Sequence, residues 1–264
     1  MNILGVLCLV TIAGSTRLPA RVFASLQSQA QIQAYNRFWI VNGKNASIAD
    51  YPWQASLQDS GSHNCGAVVI GDRKAVTAGH CVSGGTLVIR VGSDEHLTGG
   101  KTFTVSKATV HPDYGSGAGT FPNDIAVLEF DEDITVDDGA KAVEMPTESS
   151  GDFAGDECTI TGWGRTSGGA PLPDVLQEAT TTVLSNTECG NEWGPSSINE
   201  GHVCVFNQET GSCNGDSGGP LTCKGVLVGV TSWGAVGCPV SSPSVYTRIS
   251  HFLDFIANPS MYTV

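Results

Sequence analysis

Residues 215–220 read "GDSGGP", a serine set in a glycine-rich turn. A serine hydroxyl is a poor nucleophile until a base takes its proton. Near neutral pH that base is naturally a histidine, with a carboxylate to fix its tautomer. Glycines beside the serine let backbone N–H groups approach a developing oxyanion closely, here those of Gly215 and Ser217. If the stretch is more than a turn, a histidine and an acid must wait elsewhere in the chain.

Two further stretches supply them. "VTAGHC" (76–81) sets His80 beside Cys81, and "NDIAVLEF" (123–130) sets Asp124 at the head of an apolar run. Singly, each has a plainer account, since a histidine beside a cysteine is usually structural and an aspartate before a strand is usually a cap or turn. Together, in the order His80, Asp124, Ser217, they are hard to dismiss. Subtilisins run Asp–His–Ser and α/β-hydrolases run Ser–Asp–His, so this order belongs to a third architecture.

The surroundings read as all-β. The chain of 264 residues holds 33 glycines, which punctuate short apolar runs. Strand candidates are "AVVIG", "TLVIRVG", "KTFTVSKATV", "DIAVLEF", "ECTITGWG", "EATTTVLS", "GVLVGVTSW" and "SVYTRI". The stretch "KTFTVSKATV" alternates clearly and reads as one strand. Near the end, "SHFLDFIAN" places Phe252, Leu253, Phe255 and Ile256 on one helical face. Many short strands at turn-rich spacing favour a sandwich or barrels.

The first residues, "MNILGVLCLVTIAG", form an apolar run of secretory length, followed by small residues. Residues 1–20 are read as a signal peptide, with the cut between residues 15 and 24; a buried N-terminal helix is the plainer account. Residues 21–39 are polar, Gln-rich and free of Cys and Gly. Cys8 leaves with the signal, and eight cysteines remain. An even count after a signal peptide reads as four disulfides in an oxidising compartment, so the protein is expected to be secreted and extracellular. No close CxxC spacing suggests zinc, and no metal or cofactor is expected. No later stretch is long and apolar enough to anchor the mature chain in a membrane. All 26 acidic residues follow position 39, and only ten basic residues do. Such a surface disfavours nucleic acid and anionic membranes.

With these residues the chain resembles the chymotrypsin-like serine proteases. The resemblance covers residues 40–264 and includes "IVNG", "PWQASL", "TGWGRT", "VTSWG" and "PSVYTRI" beside the three stretches above. It implies two six-stranded antiparallel β-barrels, roughly 40–145 and 146–264, with the active site in the cleft between them and a short C-terminal helix. It implies His80 as general base and then acid, Asp124 as its orienting group, Ser217 as nucleophile, and Gly215 and Ser217 as oxyanion donors. By the same resemblance the disulfides are Cys65–Cys81, Cys158–Cys223, Cys189–Cys204 and Cys213–Cys238. Protein and peptide substrates follow, with protein inhibitors as candidate partners and a monomer as the expected state. One departure is Gly79, where the family usually has Ala; it is expected to touch no catalytic atom.

The resemblance also assigns a specificity pocket. Gly211 would lie at its base, Gly234 and Ser244 on its walls, and Ser232 and Gly234 would pair with an extended substrate by backbone hydrogen bonds. With no charge at Gly211, the pocket is expected to take large apolar side chains, Phe, Tyr, Leu or Met. The alternative is an elastase-like taste for small residues if Ser244 fills enough space. Inactive relatives that only bind are a further alternative, though they usually lose a triad residue. Digestion is the default role.

In "RFWIVNG" (37–43), the family's activation cut falls before Ile40, so the resemblance implies a zymogen with residues 21–39 as its activation propeptide. The freed amine would pair with Asp216 and order the Gly215–Ser217 turn. The residue before the cut is Trp39, so the activating enzyme must accept a large aromatic. Self-activation fits the expected pocket; a cut after Arg37 followed by trimming is the duller route. Asn45-Ala46-Ser47 is a glycosylation sequon.

Overall fold

The computed structural model describes residues 40–82, 84–135 and 139–262. The expected leader and propeptide, with Cys8 and Trp39, lie outside the described residues.

The strands are β1 (Lys44–Asn45), β2 (Gln54–Asp59), β3 (Ser62–Gly71), β4 (Lys74–Thr77), β5 (Leu87–Val91), β6 (Lys101–Thr104), β7 (Lys107–Val110) and β8 (Ala126–Glu129), followed by β9 (Glu157–Gly162), β10 (Gln177–Leu184), β11 (His202–Val205), β12 (Pro220–Cys223), β13 (Val226–Trp233) and β14 (Ser244–Arg248). In β5, Leu87, Ile89 and Val91 are buried while Val88 and Arg90 are half-buried, the period of two that sets one face on a core.

The first sheet runs β6-β5-β2-β3-β4-β8-β7. Its two end strands are the halves of "KTFTVSKATV", which the alternation had suggested to be one strand. The stretch turns at Val105 and Ser106. Val105 N–H donates to Leu87 O at 3.0 Å on the β5 side, and Ser106 N–H to Glu129 O at 2.9 Å on the β8 side. The chain itself thus joins the ends of the sheet, and seven pairing segments wrap round as six strands. Leu57, Ile89, Phe103 and Leu128 fill the interior.

The second sheet runs β1-β10-β11-β14-β13-β12-β9, and β9 also pairs with β10, which closes six strands into a barrel. Ile160, Val203, Leu221 and Tyr246 pack inside it. β1 is the extra strand: Lys44 pairs with Glu178 and Asn45 with Gln177. The start of the domain therefore lies on the second sheet, before the chain enters the first.

A third apolar cluster joins the halves. Val68, Val76, Ile125 and Val127 meet Leu227, Val230 and the C-terminal residues Phe252, Phe255 and Ile256. Those last residues belong to a 3-10 turn, Ile249–Phe252, and the short helix that follows it. A helix absent from the sequence reading, α1 (Asn186–Trp193), precedes β11; the C-terminal one is α2 (Leu253–Ala257). The sequence "SNTE" does carry a signal for α1. Ser185 Oγ accepts Glu188 N–H while Glu188 returns a bond to Ser185 N–H, a capping box. Four disulfides are present, with the pairing the resemblance implied.

Candidate active site

β4 and β8 pair in register, Thr77 opposite Ala126. Their ends bring His80 and Asp124 together. His80 sits in a single 3-10 turn, Gly79–Cys81, braced by the Cys65–Cys81 bond to β3. Its Nδ1 lies 2.8 Å from Asp124 Oδ2, and its backbone N–H donates to Asp124 Oδ1 at 2.9 Å. A third donor comes from the other barrel, where Ser232 Oγ on β13 reaches Asp124 Oδ2 at 2.5 Å. Asp124 is only 1% exposed, so these bonds are what keep a buried carboxylate satisfied. With the carboxylate as acceptor, His80 Nδ1 carries the proton and Nε2 is left free as a base.

Gly79 borders this carboxylate. A Cβ there would stand 3.3 Å from Asp124 Oδ1 and 3.2 Å from Val110 Cγ1, so the alanine usual in the family would press on a carboxylate that glycine leaves clear.

The turn carrying Ser217 is tied almost completely. Asp216 N–H donates to Cys213 O, Gly218 N–H to Thr231 O and Gly219 N–H to Asp216 O. The N–H groups of Gly215 and Ser217 are left without an acceptor among the described residues. Gly218 is compelled to be glycine twice over, by a φ of 74° and because a Cβ would fall 2.1 Å from Thr77 Oγ1. The Asp216 carboxylate points inward, accepting Gly164 N–H at 2.8 Å and Cys213 N–H at 2.9 Å. Its burial pushes its pKa up to about 7 against the pull of those two bonds. Among the described residues no cation meets it. A Cβ at Gly162 or Gly164 would lie 2.2 Å from its carboxylate, so "TGWG" provides the cavity that Asp216 fills.

His80, Ser217, Ser232, Gly234, Phe121 and Val236 face one cleft of about 410 Å³. A family model described as trypsin matches residues 40–256. The chain belongs to the trypsin family of serine proteases. It is 37% identical to "Fibrinolytic enzyme, isozyme C" of Lumbricus rubellus, over 84% of this chain and all of that one. It is 36% identical to "Trypsin Blo t 3" of Blomia tropicalis, over 97% of each chain. Among solved structures, the mouse serine protease neuropsin superposes with a TM-score of 0.74 at 31% identity, over 83% of this chain and 98% of that one. The protein is accordingly a chymotrypsin-like serine endopeptidase, a hydrolase of protein and peptide substrates.

Of the four residues assigned to the pocket of this trypsin-family site, Ser232 and Gly234 line the cleft, and Gly211 and Ser244 are not among its lining residues. Gly211 and Ser244 face each other, with a Cβ at Gly211 falling 3.3 Å from Ser244 Oγ. That hydroxyl accepts Ser212 N–H at 3.2 Å. Ile40 is buried in the second barrel, and Val41 forms a bridge with Gly211. Asn45 is exposed on β1, its Oδ1 accepting from Gln177 Nε2.

Three groups at the site escaped the sequence reading. The Ser232 side chain was one, since only its backbone had been assigned. Phe121 was another, an aromatic three residues before Asp124 on the cleft rim. The third is His63, whose Nε2 lies 3.0 Å from Gly215 O while Ser56 Oγ lies 2.8 Å from Nδ1. Burial pulls the His63 pKa down to about 4, so at neutral pH the ring is uncharged, with Ser56 donating to Nδ1 and Nε2–H holding the Gly215 carbonyl.

Proposed function

We propose that this endopeptidase is a secreted enzyme, made as a zymogen, that cleaves after large apolar residues. Ser217 Oγ attacks the peptide carbonyl as His80 Nε2 takes its proton. The tetrahedral oxyanion accepts the open N–H groups of Gly215 and Ser217. Asp124 stabilises the imidazolium, which then protonates the leaving amine. The acyl-enzyme left on Ser217 is hydrolysed by water through the same steps.

The observation that carries the specificity reading is the uncharged end of the cleft. No acidic side chain is among the described residues that line it, and the one atom within 4 Å of where a Cβ at Gly211 would stand is the Ser244 hydroxyl. The Blomia relative is named a trypsin. A Lys or Arg side chain here would lose its hydration without gaining a carboxylate. The Ser244 hydroxyl beside Gly211 supports a second reading, a preference for small residues.

Matched peptides that differ only in the cleaved residue, Phe, Leu, Ala or Arg, test this. Phe or Leu should lead; Ala in front supports the second reading, and Arg in front sinks both. Labelling of Ser217 by an organophosphate-type reagent separates an enzyme from a binding homologue, which would not react.

Activation follows from a cut at Trp39–Ile40. The new amine pairs with Asp216, whose buried carboxylate has two backbone donors and needs a cation. The Val41–Gly211 bridge supports this, because it ties the start of the domain to the pocket. An α-amine has a pKa near 8, so activity fades as strongly alkaline pH removes its charge. Self-activation accounts for Trp39; purified precursor that stays whole for hours without added protease would exclude it. The mature enzyme is a monomer, digestive in role, with Asn45 as a glycan acceptor.

A further inference from the structure

Phe121 is 54% exposed and belongs to the rim of the cleft that holds His80 and Ser217. Its backbone is left-handed, with φ 49°, which a bulky residue keeps only where its surroundings hold it. Much of what holds it comes from the segment between α1 and β11. Thr120 N–H donates to Ser197 O at 2.8 Å, and Asn199 Nδ2 donates to Ala118 O at 2.6 Å. Gly119 passes so near His202 that a Cβ on it would stand 2.9 Å from the ring's Cε1.

His202 is 2% exposed. Its Nδ1 accepts Asn199 N–H at 3.1 Å. The ring proton is therefore on Nε2, and the backbone carbonyls of Thr120 and Phe121 lie on the ring's other side, near enough to favour its charged form against the burial that lowers its pKa. Asn199 is fixed in turn: its carbonyl accepts Asn186 Nδ2 at 2.8 Å and its Oδ1 accepts Gly201 N–H at 2.8 Å. A buried histidine of one barrel thus grips the loop of the other, three residues before Asp124.

We propose that His202 is a positioning residue for substrate selection, holding Phe121 over the cleft so that it contacts the substrate side chain just before the cleaved residue. A substrate paired with Ser232–Gly234 as an added strand passes that side chain along the rim formed by Phe121, His80 and Trp233. The inference rests on this mode of substrate pairing and is independent of which residue the end of the cleft prefers.

The test uses two peptides that share the enzyme's best cleaved residue and carry Gly or Leu immediately before it. His202→Leu fills the space without the nitrogens, and His202→Gln restores a donor toward Thr120 and Phe121. The Leu-over-Gly preference in kcat/KM should fall roughly fivefold in His202→Leu, mainly through KM, with kcat on the Gly peptide held within about twofold. His202→Gln should recover most of the preference. Phe121→Ala should lose it like His202→Leu. An unchanged preference in either His202→Leu or Phe121→Ala overturns the proposal, as does an equal loss on both peptides. If His202→Leu does not fold, Asn199→Ala, which releases Ala118, carries the same expectation and the same risk.

Discussion

Asp124 shows how much of a catalytic group is made by its neighbours. Its carboxylate takes two bonds from His80 and one from Ser232, and the last comes from 108 residues away. Ser232→Ala keeps the backbone that pairs with substrate and removes the third donor. We expect kcat to fall about tenfold with KM nearly unchanged, the cost of one bond to a buried charge. Steady-state kinetics on one peptide decides it; an unchanged kcat would mean that water replaces the hydroxyl.

His63 and Asp216 give opposite pH signatures. Burial holds the His63 pKa near 4, below its ordinary value, so the folded state binds its proton less readily than the unfolded chain. That stability is complete above the unfolded pKa of about 6.5 and is lost as pH falls through 4, roughly 3 kcal/mol in all. His63→Gln should flatten the acid limb of Tm against pH. Asp216 without a cation is raised to about 7. The uncleaved precursor should therefore lose stability as pH rises from about 4 to 7, on the order of 4 kcal/mol, while an amine at Ile40 removes that loss. Thermal melts of both forms across that range would show a gap that widens with pH; a constant gap would argue against the Ile40–Asp216 pair.

At the scale of elements, legibility followed the range of the interaction. His80, Asp124 and Ser217 could be read because each lies in a short motif whose chemistry depends on residue type. Ser232, His63, Phe121 and His202 act through contacts between distant segments, which no local pattern records. Gly215 and the His63 that holds it are 152 positions apart. The alternation of "KTFTVSKATV" hid the turn at Val105–Ser106: its apolar positions change phase there, from Phe103 and Val105 to Ala108 and Val110, and in β7 it is Thr109 that is buried. β1, with only two residues, and β2, β4, β11 and β12 went unread as strands. β4, β11 and β12 have four residues each, too few to show a period, and the six residues of β2 are almost wholly buried, so they show no alternation. α1 was missed because its capping box precedes a helix with little apolar face. The Cys189–Cys204 bond pins this helix to β11 across a separation of 15 residues. Replacing both cysteines with Ala should cost about 3 kcal/mol by the loop-entropy argument, read as a lower midpoint in denaturant. It should also weaken the hold of Asn199 and His202 on Phe121.

For the whole molecule, the site is an alignment of two halves: His80 and Asp124 come from the first sheet, Ser217 and Ser232 from the second. Among the described residues no disulfide crosses between the halves: one lies in the first and three in the second. The apolar seam, β1 laid across β10 and hydrogen bonds such as Ser232–Asp124 and His63–Gly215 hold them together, and the chain passes between them in one connecting stretch that is exposed from Thr147 to Ser149 and again at Gly151 and Asp152. Opening the chain within Thr147–Gly151 would then leave two fragments with no covalent bond between them, each holding half of the catalytic groups. Neither should hydrolyse a peptide alone, and their mixture should. Turnover would then count reassembled pairs, making the enzyme its own reporter of fragment complementation.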